Sequence, residues 1–193
     1  ERMGWRAELR MAPLDSVPGE PTVQVVLAPS GTLGAHEVHR LLSNVRRGGG
    51  LIFAVEDGDE IADSLGLTSG RPGRFVADFG DAECAGSSAR SAESSLLAIP
   101  PEVRQIRWRR PAPSPPTVLA STQPRVDGGL VVALGFRMGA GKVAVVSSSE
   151  MFTNEAVRQC RWGADIALVC ALEYVRPASA AHPQVNLYSM RAP

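Results

Sequence analysis

Val23-Gln24-Val25-Val26-Leu27-Ala28 opens a stretch that reads, in order, as strand, helix, glycine stop and strand. The first run is nearly continuous in β-branched and aliphatic residues, the pattern of a central strand covered on both faces of a parallel sheet. Pro29-Ser30-Gly31-Thr32-Leu33-Gly34 then forms a turn-rich bridge. From Ala35 to Arg47, Val38, Leu41, Leu42 and Val45 recur at helical spacing, and Arg46 and Arg47 stand where cations suit a helix C-terminus. Gly48-Gly49-Gly50 supplies a residue able to leave the helix at positive φ, and Leu51 to Val55 is a second apolar strand. Together these make a βαβ unit, with a right-handed crossover expected.

Outward from that unit, Trp5 to Met11 alternates loosely as a strand, and Ile61 to Leu67 reads as a short helix. The pattern decays from Gly70 to Ser95, with one strand suggested at Arg74 to Ala77. Leu96 to Ile99 and Arg104 to Trp108 suit short strands, and the prolines at 111, 113, 115 and 116 mark a stiff, irregular connector. Thr117 to Ala120 is strand-like. Gly129 to Phe136 and Lys142 to Ser147, joined by Arg137-Met138-Gly139-Ala140-Gly141, form a hairpin. A long helix from about Asn154 to Val175 places Val157, Cys160, Ala164, Ala167, Ala171 and Tyr174 on one stripe, and Pro177 stops it. The expected organisation is one α/β domain over residues 1–176 with an irregular insertion at about 68–116, then an extended tail over 177–193. No internal repeat is present.

Twenty basic and twenty acidic side chains cancel, so no net field concentrates nucleic acid or anionic lipid on the whole molecule. No stretch approaches the roughly 18 to 20 apolar residues that a membrane helix needs. The start at Glu1, without Met or leader, suggests a larger precursor. Cys84, Cys160 and Cys170 form neither an even set nor a CxxC pair, so the redox compartment stays open.

Four segments in order resemble the glutamine amidotransferase-like superfamily, and within it a poorly characterised, membrane-associated prokaryotic branch. They are Val25-Val26-Leu27-Ala28-Pro29, Val45 through Phe53 with its Arg46-Arg47-Gly48-Gly49-Gly50 core, Gly139-Ala140-Gly141-Lys142-Val143-Ala144-Val145-Val146, and Phe152-Thr153-Asn154-Glu155. The resemblance covers about Gly4 to Leu67 and Thr117 to Val175. It implies a three-layer α/β sandwich with a mainly parallel, flavodoxin-like sheet, ending in a hairpin and a long helix. Such domains usually open with a further strand and helix ahead of Gly4, so the resemblance leaves a sheet edge here for a neighbour to complete. It also implies a role as a non-catalytic interaction or assembly module, the soluble part of a membrane-associated protein or a subunit of a membrane complex. Protein partners, no nucleic acid and no cofactor are expected.

Active members of the superfamily carry a Cys on a strand-to-helix elbow, with a His and a carboxylate later. Where the elbow would fall, after Val55, this chain reads Glu56-Asp57-Gly58-Asp59 and offers no nucleophile. Cys84 lies in a weakly structured setting, and Cys160 and Cys170 on the last helix read as small core hydrophobes. The expectation is therefore no enzyme, with a cryptic hydrolase using Cys84 or the Ser147 to Glu150 strand end, helped by His36 or His39, as the alternative. His36-Glu37-Val38-His39 falls one spacer short of the zinc-protease helix signature and reads as a solvated helix start. A phosphate loop before Lys142 would need Gly where Phe136 stands and Ser or Thr where Val143 stands.

Two surfaces remain as candidates. Ser147, Ser148, Ser149, Glu150 and Asn154 lie at a strand's carboxyl end before a helix, the usual ligand position in open α/β sheets, although helix capping explains the same residues. A small-ligand sensor using that position is a further alternative. Arg107, Trp108 and Arg109, beside the proline run, have the composition of a protein contact.

Overall fold

The computed structural model describes residues 6–10, 22–27, 33–55, 60–74, 77–78, 102–122, 131–152, 164–178 and 184–188. The strands are β1 (Arg6–Arg10), β2 (Val23–Val26), β3 (Gly50–Ala54), β4 (Leu67–Arg74), β5 (Ala77–Asp78), β6 (Glu102–Trp108), β7 (Thr117–Thr122), β8 (Val131–Met138), β9 (Gly141–Val146) and β10 (Gln184–Tyr188). The helices are α1 (Ala35–Arg46), α2 (Glu60–Leu65) and α3 (Ala164–Val175), with a 3-10 turn at Ser149–Phe152.

Eight strands form one mixed sheet in the order β1-β10-β2-β3-β9-β8-β7-β5. The pairings from β1 through β9 are parallel, and those from β9 to β5 are antiparallel. β4 and β6 make a separate antiparallel ribbon. The βαβ unit read from the sequence is present, with β2 and β3 paired in parallel and both interior to the sheet.

Apolar residues fill both faces of the parallel strands, which explains their unbroken hydrophobic runs. On one face Val26, Leu51, Phe53, Val143 and Val145 meet Val38, Leu41, Leu42 and Val45 of α1 and Ile61, Ala62 and Leu65 of α2. On the other, Val23, Val25, Ile52, Ala54, Ala144 and Val146 meet Ala171 and Val175 of α3. A twelve-residue helix such as α1 is marginal alone. Burying its four aliphatic side chains, at about 1.5–3 kcal/mol each, supplies what its intrinsic propensity lacks.

Local chemistry fixes both ends of α1. The Gly34 N–H donates to the Glu37 carboxylate at 2.9 Å. At the other end Gly48 adopts φ 113°, its N–H donates to Val45 O at 2.9 Å, and Gly49 N–H donates to Asn44 O at 3.1 Å. Asn44 is itself buried and donates through Nδ2 to Thr22 O at 3.2 Å, tying the end of α1 to the start of β2.

Three elements differ from the sequence reading. The helix expected to reach Leu67 stops at Leu65, because Gly66 turns the chain at φ 71° and the fully buried Leu67 begins β4. The insertion expected to be irregular therefore contains a ribbon, whose register breaks between Ser69 and Pro72. The extended tail expected to lie outside the domain contains β10, inserted between β1 and β2. Of the long last helix, Ala164–Val175 is described, and its sheet-facing residues are Leu168, Ala171, Leu172, Tyr174 and Val175; Val157 and Cys160 of the expected stripe lie outside the described residues.

Candidate functional site

Because β2, β3 and β9 are parallel, Leu27, Val55 and Ser147 leave the sheet at one common edge. Val55 N–H donates to Val146 O at 2.8 Å, holding two of these strand ends together. Ser147 is 3% exposed and its Oγ has no hydrogen-bond partner. A buried hydroxyl without a partner is unfavourable by roughly 1–3 kcal/mol, so this atom is the polar group at the edge most suited to receive a ligand. Ser148 and Ser149 are half-buried and hydrogen-bonded or otherwise engaged, and Glu150 follows in the 3-10 turn, which the buried Phe152 anchors against the α3 face.

Other candidates do not converge there. His36 and His39 are exposed on the outer side of α1. Asn154, the elbow position at 56–59, Cys84 and Cys160 lie outside the described residues. Cys170 is buried but disulfide-bonded, not the free hydrophobe that its position in the helix suggests. Among the described residues no group of three or more His, Cys, Asp or Glu side chains could hold a metal ion.

The glycine-rich turn before Lys142 is a hairpin, not a phosphate loop. Gly139 has φ 62°, the Ala140 N–H donates to Arg46 O at 3.0 Å, and the Lys142 N–H donates to Gly49 O at 3.3 Å. This turn and the glycine triplet after α1, which lie far apart in sequence, are therefore two halves of one backbone junction. Lys142 points to the opposite face, its Nζ 5.3 Å from the centre of the Tyr174 ring.

Burial raises the Tyr174 phenol above its usual 10.0, against the smaller lowering effects of the Thr117 hydrogen bond and the Arg137 charge. The folded state thus holds this proton more tightly than the unfolded chain. Its contribution to stability is complete below pH 10 and declines as the pH rises through the folded-state value. Denaturant melts should show a loss of stability above pH 10 in the wild type that is smaller in Tyr174→Phe; identical alkaline profiles would contradict the assignment.

The Arg107-Trp108-Arg109 group is divided by the structure. Arg107 and Arg109 are exposed, whereas Trp108 turns inward and meets Phe136 edge to face, with ring centres 5.0 Å apart. Trp108 is thus half-buried against the core and acts as a bolt between the ribbon and the main sheet. The surface that remains is the connector 109–118, where Arg109, Arg110, Pro111, Pro113, Pro115, Pro116, Thr117 and Val118 are exposed. It is pinned at its start and in its middle: Arg109 N–H donates to Gly66 O at 2.7 Å, Arg109 Nη1 meets Asp63 Oδ1 at 2.9 Å, and Arg137 N–H donates to Ser114 Oγ at 2.8 Å.

Among the described residues no helix is long and apolar enough to cross a membrane. Solved structures similar in fold include the mmIFT52 N-terminal domain, with a TM-score of 0.51 at 13% identity over 77% of this chain and 75% of that one. A protein described as cytoplasmic, from Salmonella typhimurium, has a TM-score of 0.50 at 11% identity over 84% and 78% of the two chains. An exo-beta-1,4-mannosidase from Opitutaceae bacterium strain TAV5 matches at a TM-score of 0.44 and 17% identity over 83% of this chain, which spans 26% of the mannosidase. At these identities the first two likenesses speak to fold alone. No curated protein matches the sequence. The sequence match over residues 4–163 runs from ahead of β1 through the hairpin, and by it the chain belongs to the family described as Domain of unknown function (DUF4350).

Proposed function

We propose that this chain is a non-catalytic interaction and assembly module, the soluble part of a membrane-associated protein or a subunit of a membrane complex, built on a glutamine amidotransferase-like three-layer α/β sandwich. The observation that carries this reading is the pinned connector 109–118. Four exposed prolines there cannot donate backbone hydrogen bonds and are already stiff, so a partner loses little entropy in ordering them. Exposed Arg107, Arg109 and Arg110 flank them, and Val118 is 49% exposed, an apolar contact at the end of the ledge. Arginine beside a rigid apolar surface is the composition of interface hot spots. The disulfide at Cys170 fits an oxidising compartment, which favours the outer side of a membrane.

Mild-detergent extraction of the full-length protein from its native membranes, followed by mass spectrometry, tests the reading. Membrane subunits should co-purify in stoichiometric amounts, and an Arg107→Glu/Arg110→Glu/Val118→Asp variant that folds normally should lose them. Recovery of the wild type alone, or equal recovery with the variant, would overturn it.

The unpartnered Ser147 Oγ favours a second reading, a small-ligand sensor at the carboxyl ends of the strands. Saturable binding without turnover, abolished by Ser147→Ala, would support that reading over a hydrolase.

A further inference from the structure

Two more buried polar atoms lack partners, and they are complementary. Gln24 and Asn186 are each 0% exposed; Gln24 Oε1 is an unused acceptor and Asn186 Nδ2 an unused donor. The two residues are direct register partners on the adjacent parallel strands β2 and β10, so their side chains share one face. Each is already engaged through its other amide atom. Gln184 Nε2 donates to Asn186 Oδ1 at 3.3 Å, and Gln24 Nε2 donates to Thr22 Oγ1 at 2.5 Å. One bond, from Asn186 Nδ2 to Gln24 Oε1, would join the two pairs into a single line with every donor pointing the same way: Gln184, Asn186, Gln24, Thr22.

We infer that Gln24 and Asn186 close this bond and form an amide key that fixes the register of the C-terminal strand. Neighbouring strands lie about 4.8 Å apart, a gap within the reach of two amide side chains that share one face. The alternative leaves two amide groups desolvated and unsatisfied in one place. A chain of aligned amides is also cooperative, because each bond polarises the next.

The key discriminates between registers. A slip of β10 by one residue would move Asn186 to the face where Val23, Val25 and Ile52 pack, and a slip of two would set it beside Thr22 or Val26. Every described pairing of β1 is to β10, so the key also governs whether the sheet ends at β1 or at β2. The matched family segment ends at residue 163, ahead of α3 and β10. The last strand is thus a keyed insert that completes a sheet begun by that segment. Its release would expose a strand-receptive edge on β2, with Gln24 as the selective group.

Hydrogen exchange on the full chain reads the key directly. Gln24→Leu and Asn186→Leu each leave one buried amide group alone, and each should speed exchange of β1 and β10 by about tenfold or more while β3 and β9 change less. The double variant removes both partners and should return exchange to within about threefold of wild type. Additive losses in the double variant, or unchanged exchange in the singles, would overturn the inference. Should a single variant fail to fold, the wild type still decides: the Asn186 side-chain NH2 protons should exchange slowly with solvent in NMR spectra, and rapid exchange would reject the key.

Discussion

Gly141→Ala should destabilise the protein by about 3 kcal/mol or more, through a clash that no side-chain rotation relieves. A Cβ at this position would overlap Gly49 O and Val45 O, both backbone atoms, at the end of α1 and the turn into β3. Overpacking against a flexible side chain relaxes cheaply, but here α1 must lift from β9 or the β3–β9 pairing must open. For a chain of this length, 3 kcal/mol corresponds to a fall in Tm of roughly 10 °C. Gly139→Ala should also destabilise, since Gly139 has φ 62° and its Cβ would approach Arg46 O to 2.6 Å. Gly34→Ala is the internal control: φ is −76°, the nearest atom is Glu37 Oε2 at 3.9 Å, and the cost should stay below about 1 kcal/mol. Thermal and denaturant melts of the three variants give the ranking, and a Gly141→Ala protein as stable as Gly34→Ala would refute the junction.

That junction shows where legibility from sequence begins and ends. The glycine triplet after α1 reads correctly as a helix stop, and the glycine turn before Lys142 as a hairpin, because both signals are local and arise from backbone conformation. Their contact with each other is tertiary. Neither segment alone predicts that Ala140 and Lys142 donate to carbonyls at Arg46 and Gly49. The physical requirement that joins the two motifs is close backbone approach, which only glycine permits at position 141.

β10 was obscured for a different reason. Gln184-Val185-Asn186-Leu187-Tyr188 does alternate with period two, but it is short and carries two amides. Alternation ordinarily marks a strand with one wet face. Here Asn186 lies buried beside Gln24, so the usual polar-out rule argues against the interior position that the strand occupies. β4 was hidden by composition, since Gly70, Pro72 and Gly73 are poor strand formers and the ribbon accommodates them with a register break. At the candidate site, the strand-end position of Ser147 is readable from the apolar run of Lys142 to Ser147 that precedes the last helix. The unpartnered state of its hydroxyl depends on packing and is not.

Phe136→Ala should cost about 3–5 kcal/mol, because a fully buried ring on β8 is lost from a core to which α1, α2, the central strands and the ribbon all contribute. Its consequence extends beyond a cavity. Trp108 meets Phe136 at an interplanar angle of 74°, an edge-to-face contact that contributes about 0.5–1.5 kcal/mol beyond area and fastens the β4–β6 ribbon to the main sheet. The sequence places Trp108 among arginines and suggests a surface role, yet the alternation of β6 sends Ile106 and Trp108 inward while Arg107 faces out. Loss of Phe136 should therefore loosen the ribbon, seen as faster hydrogen exchange in β4 and β6 and a red-shifted Trp108 emission. The shift is assigned by subtraction of a Trp108→Phe background, which separates it from Trp5 and Trp162. Trp108→Phe itself should be nearly neutral, since it keeps an aromatic edge against Phe136 while removing Nε1, a buried donor without a partner. A stable Phe136→Ala protein with unchanged Trp108 emission would mean that the ribbon is held by other contacts, and that Trp108 belongs to the exposed ledge after all.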